Sequence, residues 1–97
     1  MKSSEIDHLL STLAEECAEV IQRITKAQRW GLHEIQPGQS LNNEQRIEYE
    51  LNDLIGVVTM LLTRGVFPNF NNAVAIKAKV AKVEHFMEYA RELGELE

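Results

Sequence analysis

A helical bundle without any sheet is the fold this chain predicts, and three observations carry that expectation. Apolar residues recur at helical spacing in three separate stretches. Each stretch opens on a Ser or Asn able to cap a helix and closes at or near a glycine. Both prolines, Pro37 and Pro68, fall in the breaks between the stretches.

The first stripe is Ile6, Leu9, Leu10, Leu13, Cys17, Val20, Ile21 and Ile24, at i, i+3, i+4, i+7. Ser3 or Ser4 can cap its start and Gly31 stops it, which predicts a helix from about Ser4 to about Arg29. Leu32 to Leu41 holds Gly, Pro, Ser and Gln without a period and reads as a loop. Asn42-Asn43-Glu44-Gln45 has the form of a capping box opening the next helix. Ile47, Leu51, Leu54, Ile55, Val58, Leu61 and Leu62 mark its apolar face, which ends near Arg64-Gly65. Pro68 with Asn69, Asn71 and Asn72 makes a turn and a cap. Ala73, Ile76, Val80, Val83, Phe86, Met87, Ala90 and Leu93 give the third stripe, closed by Gly94. The 97 residues suffice for one small domain over positions 1–97. These stripes are wide for a three-helix monomer, so a partner chain is expected to complete the bundle, as a homodimer or homotetramer.

Composition narrows the function. The net charge of -5 argues against a nucleic-acid polymer or an anionic membrane as partner. It also sets a problem for any phosphorylated substrate, which a divalent cation would solve. The single cysteine, Cys17, allows neither an intrachain disulfide nor a Cys-based zinc site and fits a reducing compartment. No stretch reaches the roughly 20 apolar residues of a membrane span, and the N-terminus has no signal-peptide core, so a cytoplasmic location is expected.

The informative residues are carboxylates. At about 100° per residue, Glu16 lies at the edge of the first stripe, with Glu19 one step further round and Glu15 nearly opposite the stripe. Glu50 flanks the second stripe, with Asp53 one turn on, on the same side. No Lys or Arg lies between Ile6 and Gln22, and no basic residue between Ile47 and Thr63, to compensate them. An acidic pair at i, i+3 is ordinarily a solvated face. Two such pairs, both flanking apolar stripes and both unpaired, leave a solvated face and a metal site as open alternatives. Were the flanks to pack together, four carboxylates would converge, and a cation or raised pKa values would have to relieve the repulsion. Ligands that are all oxygen suit Mg²⁺ or Mn²⁺ rather than zinc.

Arg23 and Lys26 follow Glu19 on its side of the first helix, and Lys79 and Lys82 flank the third stripe. Such cations could hold phosphate oxygens; alternatively Lys77, Lys79 and Lys82 are solubilising charges whose stems cover apolar surface. Trp30 could stack on a base or seal the end of the bundle. His33 and His85 read as surface residues, and Cys17 as a small core residue.

Glu15-Glu16-Cys17-Ala18-Glu19 followed by Glu50-Leu51-Asn52-Asp53 resembles the EExxE and ExxD signature of the MazG-like all-α nucleoside triphosphate pyrophosphohydrolases. Leu13-Ala14 and Val20 around the first motif and Leu54-Ile55 after the second also look like that family, and the resemblance covers roughly Leu9 to Arg91. It implies that Glu16, Glu19, Glu50 and Asp53 bind Mg²⁺, with Glu15 assisting water or a second metal. It implies hydrolysis of a nucleoside triphosphate to the monophosphate and pyrophosphate. A basic residue on the final helix commonly meets the phosphates in that family, which makes Lys79 and Lys82 the candidates here; Lys26 and Trp30 stay candidates for the substrate from the residue reading above. Many members of the family have four helices; here only the Glu34–Leu41 segment could supply a short fourth. The alternatives are a phosphoribosyl-ATP pyrophosphohydrolase-like activity and a non-catalytic helical module for nucleotide binding or assembly.

Overall fold

The computed structural model describes residues 4–97, and these residues are all-α, with three long helices and no strand. The arrangement fits a helical bundle. The chain divides into two compact units, Met1–Phe67 and Pro68–Glu97.

The first unit is an antiparallel helical hairpin. Helix α1 spans Glu5–Trp30; Ser4 caps it, its side chain accepting from the Asp7 amide, and Gly31 ends it at φ 90°, its N–H donating to the Ala27 carbonyl. The alternative cap Ser3 lies outside the described residues. Helix α2 spans Asn43–Leu62 and opens on a full capping box in which Asn42 and Gln45 each accept from the other's backbone amide.

Between them, residues 31–42 form turns without helix, so no short fourth helix is present there. The loop is nonetheless held tightly. The Asn43 and Glu44 amides donate to the Glu34 and Leu32 carbonyls at 3.1 and 2.9 Å. The Asn43 side-chain amide, 3% exposed, donates to the Gly31 carbonyl at 2.8 Å and to Glu34 Oε1 at 2.9 Å. Arg46 Nη1 donates to Gln36 Oε1 at 2.9 Å. At the other end of the hairpin, Arg64 Nη2 pairs with Glu5 Oε1 at 2.6 Å, which fixes the antiparallel sense.

The seam between the helices follows a seven-residue repeat, as in other near-parallel helix pairs. Along α1 the buried or half-buried positions include Leu9, Leu13, Glu16, Val20, Arg23 and Ala27, with Thr12 and Lys26 beside them. Along α2 they include Asn43, Ile47, Glu50, Leu54, Val58 and Leu61, with Arg46 and Val57 beside them. One end of the seam is apolar: Leu61 is fully buried, with Val58 at 5% and Leu9 at 6% exposure. Its middle and its loop end carry Glu16, Glu50, Arg23 and Asn43.

This corrects the expected interior of α1. Cys17, Ile21 and Ile24 belong to the apolar stripe but are exposed, so Cys17 is not a core residue. A single partner helix covers only a narrow strip, and the broader stripe extends past it.

In the second unit, helix α3 spans Ala73–Glu92, capped by Asn72, whose side chain accepts from the Ala75 amide. Gly94, at φ 80°, turns the chain back, with the Glu95 amide donating to the Ala90 carbonyl at 2.9 Å. No residue of α3 is buried. Phe67, at the boundary of the units, has φ 62°, a sterically unfavourable conformation for a bulky side chain.

Two substitutions test the hairpin by urea unfolding. Leu61→Ala should destabilise by about 3 kcal/mol, by lost burial and a cavity. Asn43→Ala should cost about 1–3 kcal/mol, because it leaves the Gly31 carbonyl without its side-chain donor and frees the loop.

Candidate metal centre

Glu16 sits midway along the α1 seam because seven residues separate it from Leu9 and from Arg23, two turns on either side. Glu50 occupies the corresponding place on α2, and Asp53 follows one turn later toward solvent. The fold brings these three side chains together: one carboxylate oxygen from each lies within 4.8 Å of the others. Glu16 and Glu50 are half-buried and Asp53 is exposed.

Glu19, on the next turn of α1, is exposed and is not part of this close group, although its charge still reaches Glu16. Glu15 is exposed, on the far side of the helix from the seam. Thus the two motifs meet through three of their acids, with the other two around them.

Loss of water and crowding of like charge act together on Glu16. Its carboxyl is held above its ordinary value of 4.5, first by loss of water in the seam. Repulsion from Asp53, Glu50, Glu19 and Glu15 then adds to the shift. Among the described residues, the only ion pairs are Arg64 with Glu5 and Arg91 with Glu88, so none of the clustered acids is neutralised by a basic side chain. An all-oxygen donor set of this size and charge could hold a hard divalent ion such as Mg²⁺ or Mn²⁺. No His or Cys joins it, which disfavours zinc.

The basic and aromatic candidates are placed as follows. Lys26 is half-buried on α1, towards the loop. Trp30 is 50% exposed, with the Arg29 guanidinium 5.9 Å from its ring centroid, so it does not seal an apolar end. Lys79 and Lys82 lie in the second unit, along an open groove of that unit lined by Val83, Phe86, Met87 and Leu96. His33 and His85 are exposed, and His85 packs edge-on against Phe86 at 5.3 Å.

Two features of the seam escape a reading of hydrophobic periodicity. Asn43 reads as part of a cap, yet it is the buried tie that holds the loop. Arg23 reads as a cation beside Glu19 that could hold phosphate oxygens, and its burial in the seam, with Nη1 shielded from water, is not part of that reading. A seven-residue count starting from Leu9 would have found both Glu16 and Arg23, but polar seam positions are invisible to an apolar pattern.

The raised pKa of Glu16 has a definite sign. Ionised Glu16 destabilises the fold above its folded pKa, and that penalty disappears as pH falls through the folded pKa towards 4.5. In EDTA, Glu16→Gln should therefore raise the melting temperature at pH 7, and the gain should shrink to nothing below about pH 4, measured by circular dichroism.

Comparison of the chain with family models, with curated proteins and with solved structures found no match.

Proposed function

We propose that this protein is a divalent-cation-dependent pyrophosphohydrolase that converts a nucleoside triphosphate into the monophosphate and pyrophosphate. The convergence of Glu16, Glu50 and Asp53 from two helices on one point, without a basic partner, carries the reading. The EExxE and ExxD spacing of these acids, shared with the MazG-like enzymes, supports the choice of reaction.

In this reading Glu16, Glu50 and Asp53 hold Mg²⁺, or Mn²⁺ in its place. The bound cation supplies Lewis acidity towards phosphate oxygens and makes an acidic site compatible with an anionic substrate. Glu16 and Glu50 are fixed by the seam, so their oxygens need little reorganisation to serve as ligands. Glu19, exposed on the adjoining turn, is left to join the ligand set or to receive the proton of the attacking water. Glu15 stands behind it as a further acid. The water attacks the α-phosphorus, the bond to the bridging oxygen breaks, and pyrophosphate leaves. Lys26 and exposed Trp30, both towards the loop end of α1, are the proposed contacts for the rest of the nucleotide, the indole by stacking on a base.

A homodimer, or a homotetramer built from it, belongs to the same proposal. Beyond the seam, α1 and α2 leave Ile21, Ile24, Leu51, Ile55 and Met60 exposed, with Ile21 at 62%. A second copy would cover such a stripe, and sedimentation should give at least twice the chain mass at micromolar concentration.

The deciding assay is pyrophosphate release from a panel of canonical and modified nucleoside triphosphates and phosphoribosyl-ATP, with Mg²⁺ and with EDTA. Metal-dependent release is expected, and Asp53→Asn and Glu19→Gln should lower it at least a hundredfold while circular dichroism stays unchanged. Unimpaired turnover in both variants would remove these acids from the reaction. Tight Mg²⁺-nucleotide binding without release would instead make the protein a nucleotide-binding module.

A further inference from the structure

Arg23 is a seam residue whose charge the fold does not use. Its position in the repeat directs it between α1 and α2, and its Nη1 is buried with no hydrogen-bond partner among the described residues. It takes part in neither of the ion pairs formed there. Burying a guanidinium nitrogen unpaired is unfavourable, and a native structure that does so has ordinarily reserved the group for something else.

Its place relative to the acids is informative. Arg23 lies two turns beyond Glu16 on α1, and Arg46 lies one turn before Glu50 on α2. Because the helices run antiparallel, both steps lead towards the loop end of the hairpin. Two guanidiniums therefore follow the carboxylates along one seam. Arg46 commits Nη1 to Gln36, which orients it, whereas Arg23 commits nothing at Nη1. Acids followed along the hairpin by arginines, Arg46 about one turn and Arg23 about two turns on, match a ligand that is a cation at one end and a chain of anionic oxygens at the other.

We propose that Arg23 is a substrate-binding residue that receives a phosphate oxygen of a polyphosphate chain whose cation rests on Glu16, Glu50 and Asp53. The proposal deepens the pyrophosphohydrolase reading and rests on it for the position of the cation. It assigns to the hairpin itself a phosphate contact that does not depend on the lysines of α3. The planar fork of the guanidinium suits paired phosphate oxygens better than an ammonium does.

The test uses inorganic tripolyphosphate as probe, by isothermal titration of the full chain with Mn²⁺ and with EDTA, alongside titration of Mn²⁺ alone. Arg23→Gln should weaken tripolyphosphate binding in Mn²⁺ at least tenfold, with Mn²⁺ affinity and melting temperature undiminished. Arg23→Lys, which keeps the stem and the charge, should fold and lose several-fold, giving a second reading should the Gln variant fail to fold. Unchanged tripolyphosphate affinity in the folded variants would overturn the proposal, as would a lowered melting temperature with unaltered affinity, which marks a structural arginine or one satisfied by water. A wild-type chain that binds no Mn²⁺ but binds tripolyphosphate through Arg23 in EDTA would sink the cation reading and leave Arg23 standing. Binding neither would sink both.

Discussion

Like charges held together in a helix–helix seam are the constraint around which this hairpin is organised. Glu16 and Glu50 occupy positions that in an ordinary helix pair would hold leucine, and Asp53 adds a third carboxylate within 4.8 Å. Carboxylates this close repel one another, which weighs against the marginal stability of a small domain. Glu16 holds its proton more firmly than an ordinary glutamate, first through loss of water in the seam and then through the neighbouring carboxylates. No basic side chain relieves the cluster among the described residues.

The rest of the first unit compensates from both ends. Leu61, Val58 and Leu9 give a dry layer on one side of the acids. On the other, buried Asn43 ties the end of α1 to the start of α2 through the Gly31 carbonyl and Glu34. Ser4 and the Asn42–Gln45 box satisfy the helix starts, and the Arg64–Glu5 pair closes the apolar end. The acids are thus strung between two fixed points, which is how a repulsive arrangement keeps a defined geometry.

Much of this was legible in the residues alone. The three helices begin and end within about two positions of where caps and glycines put them, because those signals are local backbone chemistry. The meeting of Glu16, Glu50 and Asp53 follows from their angular positions on two helices joined by one loop. The orientation of α1 was less legible. Its apolar stripe is wider than a single contact, and Cys17, Ile21 and Ile24 could be told from true seam positions only by knowing what α2 offers in return. The burial of Arg23 and Asn43 was illegible for the same reason: an apolar pattern counts apolar residues inward and polar ones outward, and this seam breaks the rule at both.

The tie at Asn43 also acts as a ruler. Sliding α1 along α2 by about two turns, roughly 10.5 Å, would bring Arg23 beside Glu50 and let the two discharge each other. That slipped pairing is the electrostatically easier state for the bare chain, and a longer or looser connection would permit it. The clasp made by Asn43, Gly31 and Glu34 fixes the length of the loop and so excludes it. The hairpin is frustrated by construction, with the acids held away from the arginine that would silence them.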